Sequence, residues 1–222
     1  MVQTQTAPAN PLTPEQSAEQ RLTLSPVSWQ TYEALLDAFG EHRAVRLHYD
    51  QGVLELMVPL EAHENPSDVI GVFIRILVVE SGLNLKSMAS TTLRRSTLQK
   101  GAEPDKCYYI QNEALVRGRT VDLEQDPPPD LVVEIDISHT DIDKNQLYVH
   151  MGIPEFWRYN GQVLTIYHLK NGQYQDCQTS PTFPWLDKAV FYNFMQRCRA
   201  VGEAPAEQEL REWVQSQVPA ES

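Results

Sequence analysis

The stretch 130–137, DLVVEIDI, carries three carboxylates at two- and four-residue spacing. On a β-strand, side chains two apart share a face. Asp130, Val132, Glu134 and Asp136 therefore line one face, and Leu131, Val133, Ile135 and Ile137 the other. The second face is wholly apolar and belongs in a core. The first gathers acids that repel one another unless a cation lies between them or one takes a proton. Oxygen ligands at this density suit a hard divalent ion such as Mg²⁺, which takes one or two carboxylates and completes its shell with water. A structural alternative stands beside this one. Asp130 caps the proline turn before the strand and Asp136 reaches solvent at its end, which leaves Glu134, mid-strand, without an outlet.

Two more residues bear on the chemistry. Pro104-Asp105 opens the segment CYYIQ and is, taken alone, a turn dipeptide. Lys144 lies ten residues past Glu134 and is, taken alone, a solvated helix lysine. What sets them apart is the combination, in this order, of Asp105, Glu134 with its apolar flanks, and Lys144.

The elements that must position this set are legible in the periodicity. Residues 1–20 have no periodicity and little apolar mass, which predicts a disordered tail. Ser28 before WQTYEALLDAF predicts a capped helix stopped by Gly40. RAVRLHYDQGVLELM alternates around Asp50-Gln51-Gly52 and predicts a hairpin. Val69, Ile70, Phe73, Ile74, Leu77 and Val78 predict a buried helix over 65–81, with Pro66 in its first turn. LKSMASTTLRRSTL suggests one or two short strands, CYYIQ another, and PPPDLVVEIDIS the clearest of all. HTDIDKNQLYVHMG predicts a short helix capped by Thr140 or Asp141 and ended by Gly152. Two Asn-Gly pairs, at 160–161 and 171–172, separate EFWRY, VLTIYHL and QYQDC and predict hairpins. Two C-terminal helices follow, with an acidic loop between them. The expected fold is α+β, with an α/β core whose mixed central sheet is flanked by helices. It is expected to fill 21–200, with an acidic helix and tail at 201–222.

Composition bounds the function. The 222 residues are 41% hydrophobic and 22% charged, an ordinary globular balance. No apolar run approaches the ~20 residues of a membrane-spanning helix. The first twenty residues lack both Lys/Arg and an apolar segment, so no secretory signal is expected. Cys107, Cys177 and Cys198 are scattered, which argues against disulfides or a structural zinc site and for a cytoplasmic setting. The net charge of −12 excludes a surface that is basic throughout but not a local basic groove. Residues 86–119 hold seven bases against three acids, and 120–143 hold eight acids and no base. Solvated faces and loop acids would account for this as well as a groove does.

GAEPDKCYYIQN, PPPDLVVEIDIS and DKNQLYVHMGIPEFWRYNG, with AHEN at 62–65, resemble the Uma-two family of restriction endonucleases, within the PD-(D/E)XK nuclease superfamily. The resemblance spans roughly residues 22–195. It implies a restriction-endonuclease-like fold and Mg²⁺- or Mn²⁺-dependent cleavage of DNA. Asp105 and Glu134 match the two acids of the motif. Asp136 stands where the superfamily pattern has lysine, and Lys144 looks like the migrated replacement. Glu64 is similar in position to a helix carboxylate that assists metal binding, Asp130 to a recurring structural Pro-Asp, and His63 to a family histidine without an assigned role. Arg94, Arg95, Lys100 and Lys106 would then hold flanking phosphates.

Two other classes compete: a catalytically silent nucleic-acid-binding or protein-interaction module on the same fold, and a sugar hydrolase with a carboxylate pair. Cutting both strands of a duplex further suggests a homodimer, with the apolar 155–169 hairpin as the surface to spare.

Overall fold

A computed structural model describes residues 18–40 and 43–217. In chain order the elements are β1 (Glu19–Leu24), α1 (Trp29–Phe39), β2 (Arg46–Asp50), β3 (Val53–Pro59), α2 (Glu61–Glu80), β4 (Lys86–Ser87), β5 (Leu93–Arg95), β6 (Lys100–Ala102), β7 (Lys106–Tyr109), α3 (Glu113–Val116), β8 (Leu131–Ile135), α4 (Lys144–Met151), β9 (Glu155–Tyr159), β10 (Leu164–Lys170), β11 (Gln173–Cys177), α5 (Lys188–Val201) and α6 (Glu203–Gln217). The strands form two sheets rather than one. The first has the order β1-β3-β2-β6-β5 and is antiparallel throughout. The second has the order β11-β10-β9-β8-β7-β4 and is mixed, because β8 and β9 run parallel.

Helix α4 makes the crossover that this parallel pair requires. It is capped by Asp143, which accepts from Gln146 N at 3.1 Å, not by Thr140 or Asp141. Gly152 ends it in the left-handed conformation at φ 77°. Because Asp143 is the cap, Lys144 is the first helical residue, nine residues past the end of β8.

Strand β8 is buried on both faces. Leu131, Val133 and Ile135 join α2, α5 and α6 in the largest apolar core, with Phe73, Trp157, Phe191 and Leu210. Val132 faces the other way, toward Cys107, Leu147, Met151 and Phe156. The alternation expected from the sequence is therefore the alternation observed. Helix α1 packs on the far face of the first sheet, where Trp29, Tyr32 and Leu36 meet Leu47, Tyr49 and Leu54.

Several boundaries differ from expectation. Ala18, Glu19 and Gln20 are not tail: Ala18 and Glu19 are buried, and β1 pairs with β3 from Glu19 onward. The rest of the expected tail, 1–17, lies outside the described residues, as does 218–222. Helix α2 begins at Glu61, a turn before Asn65, so Pro66 sits inside it and forgoes one backbone bond. The extra turn carries His63 and Glu64. Only Gly202 separates α5 from α6, in place of an acidic loop. In the 155–169 hairpin Phe156, Trp157, Tyr159, Leu164 and Ile166 are all in the cores and Tyr167 is partly buried, which leaves Val163 as its exposed large apolar side chain.

Candidate active site

The acids come from strands that the second sheet makes neighbours. Asp105 directly precedes β7, and β7 pairs with β8 in the register Lys106↔Val133. Asp105 Oδ2 accepts from Ile135 N at 2.6 Å, which anchors its carboxylate beside the backbone that follows Glu134. Asp105 and Glu134 are both buried.

Lys144 Nζ donates to Glu134 Oε2 and to Asp136 Oδ1, each at 2.7 Å, and its side chain is fully buried. The lysine charge that meets Asp136 thus arrives from the next helix. Tyr148, one turn along α4, donates its hydroxyl to Glu134 Oε1. Sequence reasoning passed over Tyr148, although its spacing of four from Lys144 puts both on one helix face.

The first sheet supplies the rest. Its inner face carries Glu19, Arg21, Arg46, His48 and Glu55, and meets the end of β8. Arg21 reaches Glu55 at 2.6 Å, Asp136 at 3.0 Å and Glu19 at 3.1 Å. Glu19 Oε1 accepts from Ser138 N at 2.8 Å, and Glu55 Oε2 from the Thr140 hydroxyl at 2.8 Å. These bonds tie the two sheets together just past β8. Arg46 pairs with Asp105 and, at 2.9 Å, with Glu64. His63 Nε2 lies 3.3 Å from Asp105 Oδ1, and both His63 nitrogens are buried without a hydrogen-bond partner. His48 is likewise buried and without a partner.

The charges divide by environment. Burial pushes the Glu134 carboxyl up against the pull of Lys144. Burial also acts on Asp136, but Lys144, Arg158 and Arg21 outweigh it and hold that carboxyl down to about 2. Burial alone would lower Lys144, yet Asp136 and Glu134 raise it, so the ammonium stays charged. Burial, and then the cations around them, hold both histidines neutral: His63 falls to about 4, and His48 well below its ordinary value.

The expected phosphate-binding bases are not gathered at this site. Lys100 is buried with its ammonium on Asp50, which withdraws it from the surface. Arg95 donates to the Leu123 carbonyl at 3.0 Å. Arg94 stands opposite Gly101, on the sheet face that α1 covers, away from Arg46 and His48. Lys106 lies 3.7 Å from Asp68 on α2. Arg158, which sequence reasoning did not select, pairs with Asp136 at 3.0 Å and keeps a side chain 34% exposed. Asp130 is structural, as the resemblance implied: it accepts from Ile110 N at 2.7 Å and Asn112 N at 2.9 Å, fixing the chain where it leaves β7.

Among the described residues, no three His, Cys, Asp or Glu side chains form a preformed metal cage. A hard ion needs fewer, since two carboxylates and water suffice for Mg²⁺. Asp105, just before β7, and Glu134, on the neighbouring β8, near one shared cation, Arg46, fit that modest requirement.

The mixed sheet of this α+β fold thus brings two buried acids, Asp105 just before β7 and Glu134 on β8, beside a buried lysine. The chain belongs to the Uma2 family: the family model, described as "Putative restriction endonuclease", matches residues 29–194. The fold is similar to the crystal structure of a "putative nuclease belonging to DUF820" from Anabaena variabilis ATCC 29413, at 16% identity and a TM-score of 0.47, covering 85% of this chain and 99% of that one. No curated protein matches. Among the described residues, no helix is long and apolar enough to cross a membrane.

Proposed function

We propose that this protein is a divalent-metal-dependent endonuclease that hydrolyses phosphodiester bonds in DNA. The observation that carries this reading is the Lys144 ammonium, bonded to Glu134 and Asp136 at 2.7 Å beside an Asp105 carboxylate anchored on the same strand. A lone helix lysine would ordinarily be solvated, because burying a charge costs several kcal/mol; here two carboxylates hold it inside. Asp105 and Glu134 are the residues that would hold Mg²⁺ or Mn²⁺. Such an ion, when bound, lowers the pKa of its water and offsets charge on a phosphorane-like transition state. Lys144 keeps a positive charge at the acids, where it would stabilise an oxyanion or orient the attacking water. Arg158, a third exposed beside Asp136, would bind a phosphate oxygen.

One observation favours the silent-module reading instead: both Glu134 oxygens and both Asp105 oxygens already have partners within the protein. A panel of DNA and RNA substrates incubated with Mg²⁺ or Mn²⁺, with and without EDTA, decides between them. Cleavage of DNA that EDTA abolishes supports the endonuclease. Binding without turnover in any metal overturns it in favour of the module.

A further inference from the structure

The Arg46 guanidinium stands where the charge of a metal ion would be needed. It pairs with Asp105, reaches Glu64 at 2.9 Å, and feels the field of Glu134. These are the three acids that the family resemblance assigns to the metal. An arginine side chain does not lose its proton in a protein, so this positive charge is present at every working pH.

The donors already bonded to the acids are not equally fixed. Asp105 Oδ2 is held by a strand N–H, and Glu134 by Lys144 and Tyr148, both fully buried. The Arg46 side chain is 13% exposed, and its second partner, Glu64, is 49% exposed. Arg46 can therefore leave Asp105 while keeping Glu64, at the solvent edge of the site. His63 Nε2 also lies 3.3 Å from Asp105 Oδ1, on a buried ring whose nitrogens have no hydrogen-bond partner.

We propose that Arg46 is a resident counter-cation at the metal position: it neutralises Asp105 in the metal-free protein, and a divalent ion gains Asp105 only by displacing it toward Glu64 and solvent. This rests on the metal-dependent reading above and adds a control to it. Without metal the acids are ion-paired and shut. With metal the same guanidinium is released at the mouth, where it can meet a phosphate. Removing a unit charge a few ångströms from an incoming divalent ion should strengthen binding by tenfold or more, even after generous screening.

The test is Mn²⁺ calorimetry on the full chain and on Arg46→Met, Asp105→Asn and Glu134→Gln. Displacement predicts that Arg46→Met lowers Kd at least tenfold, whereas the two acid variants raise it. Because Arg46→Met leaves Asp105 without its cation, a second measurement uses the unaltered protein. The Arg46 guanidinium Nη–H resonances are followed by NMR as Mg²⁺ is added, and the protons bonded to Asp105 should exchange faster as the site fills. Mn²⁺ binding that Asp105→Asn weakens but Arg46→Met leaves unchanged, or an Arg46 resonance indifferent to saturating Mg²⁺, overturns displacement alone. Absence of binding by every protein, Arg46→Met included, overturns the metal-dependent reading and this inference with it.

Discussion

Lys144 and Tyr148 stand one helical turn apart on α4 and between them take both oxygens of Glu134, the ammonium at 2.7 Å on Oε2 and the phenol on Oε1. The helix starts at Lys144 because Asp143 caps it, so this grip is set by the cap as much as by the two side chains. It fixes the orientation of a carboxylate that burial would otherwise protonate.

Lys144 is accordingly a stability determinant as well as a catalytic candidate. Its sequence position alone suggests a residue removable without harm to the fold. Its burial between two carboxylates reverses that expectation. Lys144→Ala should lower the unfolding free energy in urea by roughly 3–5 kcal/mol, the cost of leaving buried acids without their cation. Tyr148→Phe removes one hydrogen bond to the same group and should cost about 1–3 kcal/mol. The double variant Lys144→Ala/Glu134→Gln should be less unstable than the sum of its parts, because the second change removes the orphaned charge. Strict additivity would contradict this.

The amino-terminal strand is the second point of test. A chain starting at Ala18 keeps Glu19 and Arg21, and should melt where the full chain does. A chain starting at Ser25 loses β1, exposes the edge of β3, and leaves Glu55 and Asp136 without Arg21. That loss of at least about 3 kcal/mol corresponds to roughly 10 °C for a domain of this size. Equal melting temperatures for the two truncations would show that the strand adds nothing to the network.

What the sequence conveyed about these residues follows from which faces water would have covered. The alternation of β8 was readable because one face is purely apolar, and Lys144 was reachable from it by counting. The first sheet was not readable in the same way. Leu47 and Tyr49 mark one buried face of β2, so the pattern assigns Arg46 and His48 to solvent. His48 is buried instead and Arg46 is mostly covered, because the opposite face packs on the end of β8 through ion pairs rather than apolar contacts. Strand β1 was hidden for the same reason: in EQRLTL the inward residues are Glu19, Arg21 and Thr23, while Leu22 and Leu24 are exposed. Binary pattern inverts when the buried face is the charged one. Lys100 shows the converse error, since a base in a basic stretch was counted as surface although Asp50, facing it across the β2–β6 register, takes it inside.

Acid should expose the Asp136 contribution. Its carboxyl titrates near 2 in the folded protein against 3.8 when free, so the folded state binds its proton less tightly. Stability from this group is complete above pH ~4 and is lost as pH falls toward 2, a change of roughly 2 kcal/mol. Glu134, raised by burial, works with the opposite sign, which is why a comparison is needed. Urea midpoints between pH 5 and pH 2 should fall less steeply for Asp136→Asn than for the unaltered chain. Parallel pH profiles would remove Asp136 from the acid limb.

Nucleic-acid contact should depend on Arg158 and not on Arg94. Arg158 faces Glu134 across the parallel β8–β9 register and spends one nitrogen on Asp136, leaving a third of the side chain open at the site. Arg94 lies on the other face of the first sheet, beside α1. A base that touches a backbone phosphate releases counterions on binding, so removing it lowers affinity and reduces the slope of log K against log salt by about 1. Binding of a duplex in EDTA, where cleavage is arrested, measures both quantities without interference from turnover. Arg158→Ala should weaken binding and flatten the salt dependence, whereas Arg94→Ala should change neither. Because Arg158 also holds Asp136, Arg158→Lys serves as the control: it retains the charge and should restore the slope. If Arg94→Ala carried the loss and Arg158→Ala none, the duplex would lie on the α1 side of the molecule, away from Asp105 and Glu134, and the endonuclease reading would lose its substrate path.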